Sequence, residues 1–123
     1  MYLGYAEYKK LYPDSTITEQ QFNTLEERAE TDIDTLTFNR ITAIGFDNLT
    51  DFQRERVLRS LMWQVNFIND NFELLDSPLS AYSVSGVSMS FDKSKIVVLN
   101  GVTTTNQIHN ALMQTGLCYR GLD

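Results

Sequence analysis

Residues 51–75 read DFQRERVLRSLMWQVNFINDNFELL, the longest apolar-patterned stretch of this 123-residue chain without a Gly or Pro. Leu58, Leu61, Val65, Ile68, Phe72 and Leu75 recur at the three- and four-residue spacing that lines up side chains on one helical stripe. A second row, Phe52, Trp63, Phe67 and Leu74 with Arg56 among them, falls on the opposite side at 100° per residue. The stretch therefore predicts a helix with two apolar faces. One face packs on the chain's own fold, and the other is available to a neighbouring subunit. Thr50-Asp51-Phe52-Gln53 opens the helix as a capping box, and Asp76-Ser77-Pro78 closes it.

Working back from there, Thr18-Glu19-Gln20-Gln21 is a second capping box, with Ile17 placed to staple onto Phe22. It starts a helix whose buried stripe is Phe22, Leu25, Ala29, Ile33 and Leu36, fraying near Thr37 to Arg40. A short helix over Gly4 to Tyr12, stopped by Pro13, precedes it, and Ile41 to Leu49 is read as the connection. Beyond the central helix the period changes to two. Tyr82, Val84, Val87 and Met89 alternate with serines about Ser85-Gly86, as in a tight hairpin. Ile96 to Leu99, followed by Asn100-Gly101, reads either as a strand entering a turn or as an apolar linker. A third capping box, Thr104 to Gln107, introduces a last helix with Ile108, Ala111, Leu112 and Thr115 inward and Gly116 as its left-handed cap. The fold class expected is mainly α: a small helical bundle around one long central helix, with a protruding β-hairpin, in a single domain over 1–123 whose residues 116–123 form an extended tail.

Composition narrows the function. The net charge of −6 argues against broad attraction to nucleic acid, and no window has the roughly 18 apolar residues of a membrane span. Residues 1–50 hold nine acidic and four basic side chains, so one surface is expected to be distinctly negative. Glu26, Glu30 and Asp34 recur every fourth residue. They read as a solvated face, or as an electrostatic surface that meets a neighbour's arginines or lets a polyanion slide past. Arg54, Arg56 and Arg59 are expected to pair with acidic groups within the fold or across an interface. One His, His109, and one Cys, Cys118, make a poor basis for nucleophilic catalysis. No His-x-x-x-His, Cys-x-x-Cys or Gly-rich phosphate loop is present, so neither metal nor cofactor is expected. Nothing marks the chain for export.

Four stretches carry a family resemblance: Tyr2-Leu3-Gly4-Tyr5-Ala6-Glu7-Tyr8-Lys9, Leu36-Thr37-Phe38-Asn39-Arg40, Ser83 to Phe91, and Gly116-Leu117-Cys118-Tyr119-Arg120-Gly121. In this order they resemble the small head-tail connector (adaptor) proteins of tailed bacteriophages and prophages; the chain departs from them at Leu11-Tyr12-Pro13 and Ile96 to Leu99. The resemblance implies a non-enzymatic subunit of a cyclic ring beneath the portal protein, in contact with tail or stopper protein, with DNA passing unread through the middle. The implied location is the virion's head-tail interface, after assembly in the host cytoplasm, with no membrane contact. On that reading Phe52, Trp63, Phe67, Leu74, Tyr82, Val84, Val87 and Met89 are candidates for the subunit interface. Glu26, Glu30 and Asp34 are candidates for a DNA-channel face, and Leu117, Tyr119 and Arg120 for portal docking. The alternative is a small monomeric helical regulator that holds a partner helix through Trp63 and Phe67.

Overall fold

The computed structural model describes residues 2–75 and 96–118, with the backbone alone over 72–75. Its helices are α1 (Tyr5–Leu11), α2 (Glu19–Leu36), α3 (Arg40–Ile44), α4 (Asp51–Leu75) and α5 (Asn106–Met113), with a 3₁₀ turn at Phe46–Asn48. Strands β1 (Ile96–Leu99) and β2 (Val102–Thr105) pair antiparallel. The mainly helical bundle with a small hairpin is as expected. The described hairpin, however, is the Ile96–Thr105 pair, while the serine-alternating ribbon of Tyr82 to Met89 lies outside the described residues.

Local chemistry sets each boundary. The Thr18 Oγ1 accepts from the Gln21 N–H at 3.2 Å while Gln21 Oε1 accepts from the Thr18 N–H at 3.0 Å. Thr50 and Gln53 reproduce this exchange at the head of α4, at 3.1 and 2.9 Å. Each box satisfies donors that a helix start leaves free. α4 runs over the span read from the sequence and deviates from helical geometry at Asn71 (φ −124°, ψ 16°). There the Asn71 side-chain amide donates to the carbonyl of Phe67 at 2.9 Å, the kind of local side-chain bond that competes with helix geometry. The Ile41 to Leu49 connection contains α3 and the 3₁₀ turn, which the sequence reading did not anticipate.

The turn joining β1 and β2 is Asn100-Gly101, both at positive φ (52° and 84°), the backbone that a two-residue hairpin loop requires. The register pairs Val97 with Thr104 and Leu99 with Val102, so these four residues share one face of the ribbon. That face is turned inward: Val102 and Thr104 are buried, whereas Val98 on the other face is 57% exposed. The expected Thr104–Gln107 capping box is thereby corrected. Thr104 belongs to the strand and points into the core, and Thr105 is the N-cap, its hydroxyl accepting from the Ile108 N–H at 3.2 Å.

α4 packs chiefly on α2 and then on α5, with β2 and the N-terminal segment completing the enclosure. Its buried seam is Val57, Ser60, Leu61, Gln64, Val65 and Ile68, with Met62 and Phe67 beside it. This is rotated from the expected stripe. Leu58 is only half-buried, and Val57, Ser60 and Gln64 take inward positions that an apolar count passes over.

Candidate interaction surface

The residues assigned by sequence to a subunit interface separate once they are placed. Phe52 is 50% exposed at the head of α4, and the Arg56 guanidinium lies over its ring, 5.2 Å from the centroid. One helical turn apart, the two make a cation–π pair at the surface. Trp63 is half-buried and packs against the core, and Phe67 is buried at 8% exposure. The assignment of Phe67 to an exposed interface is therefore corrected: α4 is turned so that this position falls beside the seam. The side chain of Leu74, and Tyr82, Val84, Val87 and Met89, lie outside the described residues.

The arginines at the head of α4 are held mainly by their own segment. Arg54 Nη1 donates to the carbonyls of Asp47 (3.0 Å) and Leu49 (2.8 Å), and Arg54 also pairs with Asp51. Arg59 Nε donates to Glu55 at 2.7 Å, and Arg56 Nε stands 3.4 Å from the other oxygen of Glu55. Such exposed pairs contribute little stability each, roughly 0–1 kcal/mol, but they hold Arg54 and Arg59 away from a phosphate-gripping cluster. Of the three, Arg56 is the one stacked on an exposed aromatic.

A second aromatic–arginine pair sits at the α2–α3 junction. Phe38 and Asn39 both have positive φ (56° and 59°), uncommon for a non-glycine residue and more so for a bulky one. Arg40 lies over the Phe38 ring at 5.4 Å, and its Nη1 donates to the Leu117 carbonyl at 3.0 Å. Sequence reasoning quoted this segment without assigning it a role; the signal available was a large apolar residue beside Asn-Arg at a helix end.

The acidic row is corrected most. Glu26 is 1% exposed, so it cannot present charge to a DNA channel. Glu30 and Asp34 are half-buried and are occupied by the start of the chain. The Tyr2 N–H donates to Glu30 Oε2 at 2.9 Å, and the Tyr2 hydroxyl donates to Asp34 Oδ1 at 3.2 Å. The Leu3 N–H is a donor to the Glu26 carboxyl. Burial, with Glu30 beside it, pushes the Glu26 carboxyl up to about 8, and burial likewise raises Asp34. The fourfold spacing thus forms a ladder for three donors of the N-terminal segment. Tyr2 stacks on Phe46 at 5.0 Å and Leu3 is wholly buried, which fixes the segment from its apolar side.

Leu117, expected to dock on a portal, is instead 4% exposed and belongs to the core. Tyr119 and Arg120 lie outside the described residues. Burial pushes the Cys118 thiol up to about 11, so at neutral pH it is the weakly nucleophilic thiol rather than the thiolate. Among the described residues no group of His, Cys, Asp and Glu could hold a metal ion, and no helix is long and apolar enough to cross a membrane. A cleft of about 440 Å³ opens between the α1–α2 loop and the distal half of α4, lined by Tyr8, Tyr12, Asp14, Ser15, Asn66 and Asp70. Three of its polar side chains meet one another: the Tyr8 hydroxyl donates to Asn66 Oδ1 at 2.5 Å and lies 3.0 Å from Ser15 Oγ.

No family model, curated protein or solved structure matches this chain.

Proposed function

We propose that the chain is a structural connector: a non-enzymatic subunit that assembles as a cyclic ring under a phage portal and links the DNA-filled head to the tail or stopper. The observation that carries this reading is the Phe52–Arg56 pair, a half-exposed aromatic with a guanidinium stacked over it on the flank of the longest helix. Aromatic and arginine side chains are the types enriched at the centres of protein interfaces. The charge distribution supports a head-to-tail contact. The arginines of α4 lie in one half of the sequence, whereas Glu19 and Glu27, exposed on α2, belong to the acidic half. A ring needs two such different faces on each subunit. The DNA-facing role passes from Glu26, Glu30 and Asp34 to the exposed carboxylates, because only charge in contact with solvent repels a passing polyanion.

The test is to mix the purified chain with portal protein and examine the mixture by negative-stain microscopy and light scattering. Added ring density beneath the portal is expected, and its loss in Phe52→Asp. A chain that stays monomeric at every concentration and leaves the portal bare overturns this reading, in favour of the small helical binding module.

A further inference from the structure

The N-terminal segment and the acidic row form a unit that the connector reading does not use. The Leu3 N–H donates to the Glu26 carboxyl, but the buried Glu26 Oε2 has no hydrogen-bond partner among the described residues, although the Glu30 carboxyl stands beside it. Ionising both carboxylates there is costly, since no donor offsets the desolvation of the buried Oε2 and a like charge alongside raises that cost. One proton held between them removes both penalties. It turns Glu26 into a donor toward Glu30 and is compatible with Glu30 Oε2 accepting from the Tyr2 N–H, as observed at 2.9 Å.

We propose that residues Tyr2 to Gly4 are a proton-gated strap: Glu26 and Glu30 share one proton, and while they hold it Tyr2 and Leu3 are clamped to α2. Loss of that proton to solvent base leaves a buried anion, Glu26, against a half-buried one, Glu30, and the strap opens to let water reach them. The charged groups that bear on Glu26 are Glu30, which opposes ionisation, and the chain's α-amino group, which favours it. Asp34, two turns along α2, accepts from the Tyr2 hydroxyl instead, and that hydroxyl also lies 3.3 Å from Thr42 Oγ1. α4, packed along α2, buries only neutral residues on its seam, and its half-buried Arg56 is directed to Phe52 and Glu55. Asp32 is turned toward Gln64, whose amide donates to it at 3.0 Å. Opening would uncover the pocket of Leu3, which is wholly buried, and the face of Phe46 that Tyr2 covers.

Native-state hydrogen exchange of the full chain tests this, read at the Leu3 amide and corrected for intrinsic rate. Protection is expected to fall roughly ten- to fiftyfold between pH 6 and pH 8, the linkage expected when opening returns one raised carboxyl to its ordinary range. Glu26→Gln stays neutral and keeps a donor toward Glu30, so its protection is expected to be the same at both pH values. Equal protection in the wild-type chain at pH 6 and 8, or the same fall in Glu26→Gln as in wild type, overturns the proposal. Should Glu26→Gln not fold, carboxyl carbon-13 titration decides between the same alternatives. A wild-type Glu26 midpoint near 8 that moves down in Glu30→Gln supports the shared proton. A midpoint in the ordinary carboxylate range refutes it.

Discussion

The Thr104 hydroxyl donates a 2.7 Å hydrogen bond to Gln64 Oε1, and both side chains are wholly excluded from solvent. Gln64 uses its other end as well, donating to Asp32 Oδ2 at 3.0 Å and to the Thr103 carbonyl at 3.2 Å. One amide in the middle of α4 thus joins α2, α4 and β2. Thr104→Val should destabilise the chain by about 1–3 kcal/mol in urea unfolding, because it leaves a buried acceptor without its donor. Combining it with Gln64→Leu should cost less than the sum of the two single changes, since the partners share one network.

Tyr8 ties α1 to α4 through its bond to Asn66. Tyr8 is buried, so Tyr8→Phe keeps the ring packing and removes only the hydroxyl. A loss of about 0.5–1.5 kcal/mol in the same assay is the expected outcome. No change would mean that the bond contributes nothing net to the docking of α1.

The Asn100-Gly101 loop sets the register of the described hairpin. A Cβ at Gly101 meets no atom within 4 Å, so the penalty of a side chain there comes from its φ of +84° alone. Gly101→Val should therefore cost about 1–2 kcal/mol, through the positive φ that a β-branched residue adopts poorly. Gly101→Asn should cost less, because Asn tolerates that region better.

Stability should decline with rising pH across the range where most proteins are steady. In the folded chain the Glu26 carboxyl holds its proton up to about 8, whereas in the unfolded chain it releases it in the ordinary Glu range. The folded state then binds more protons than the unfolded state between those limits. The stabilisation is complete below the unfolded value and is lost as pH rises through the folded one. Thermal melts should show a slope approaching about 1.4 kcal/mol per pH unit from this group, absent in Glu26→Gln.

Cys118 should react slowly with thiol reagents at pH 8. With its thiol pushed up to about 11 by burial, the thiolate fraction is small. The higher intrinsic nucleophilicity of a high-pKa thiolate offsets only part of that loss, so a rate at least about tenfold below that of the unfolded chain is expected. A reaction as fast as in denaturant would show that the thiol is accessible and unshifted.

Much of the fold was legible because its signals are local. The Thr18–Gln21 and Thr50–Gln53 boxes, the span of α4 and the Asn100-Gly101 turn depend on residues within a few positions of each other, and local hydrogen-bond geometry decides them. The polar interior was not legible. An apolar count passes over Gln64 and Ser60, and Thr104 was off by one position because three consecutive threonines, Thr103 to Thr105, are equally good caps in isolation. Nothing in the sequence distinguishes an inward carboxylate from a solvated one, so Glu26, Glu30 and Asp34 read as a surface until Tyr2 and Leu3 are placed beside them.

By itself the sequence of residues 50–75 determined a long helix, its capped start and the mainly helical class of the fold, since hydrophobic period and cap chemistry act along the chain. Only the tertiary structure decided how that helix is rotated, and hence that Phe67 is buried while Phe52 stays half-exposed under Arg56. Rotation about the helix axis is set by which partners close over it. Here those partners are α2, α5 and β2, each brought in from far along the chain, with contacts that no spacing within α4 encodes.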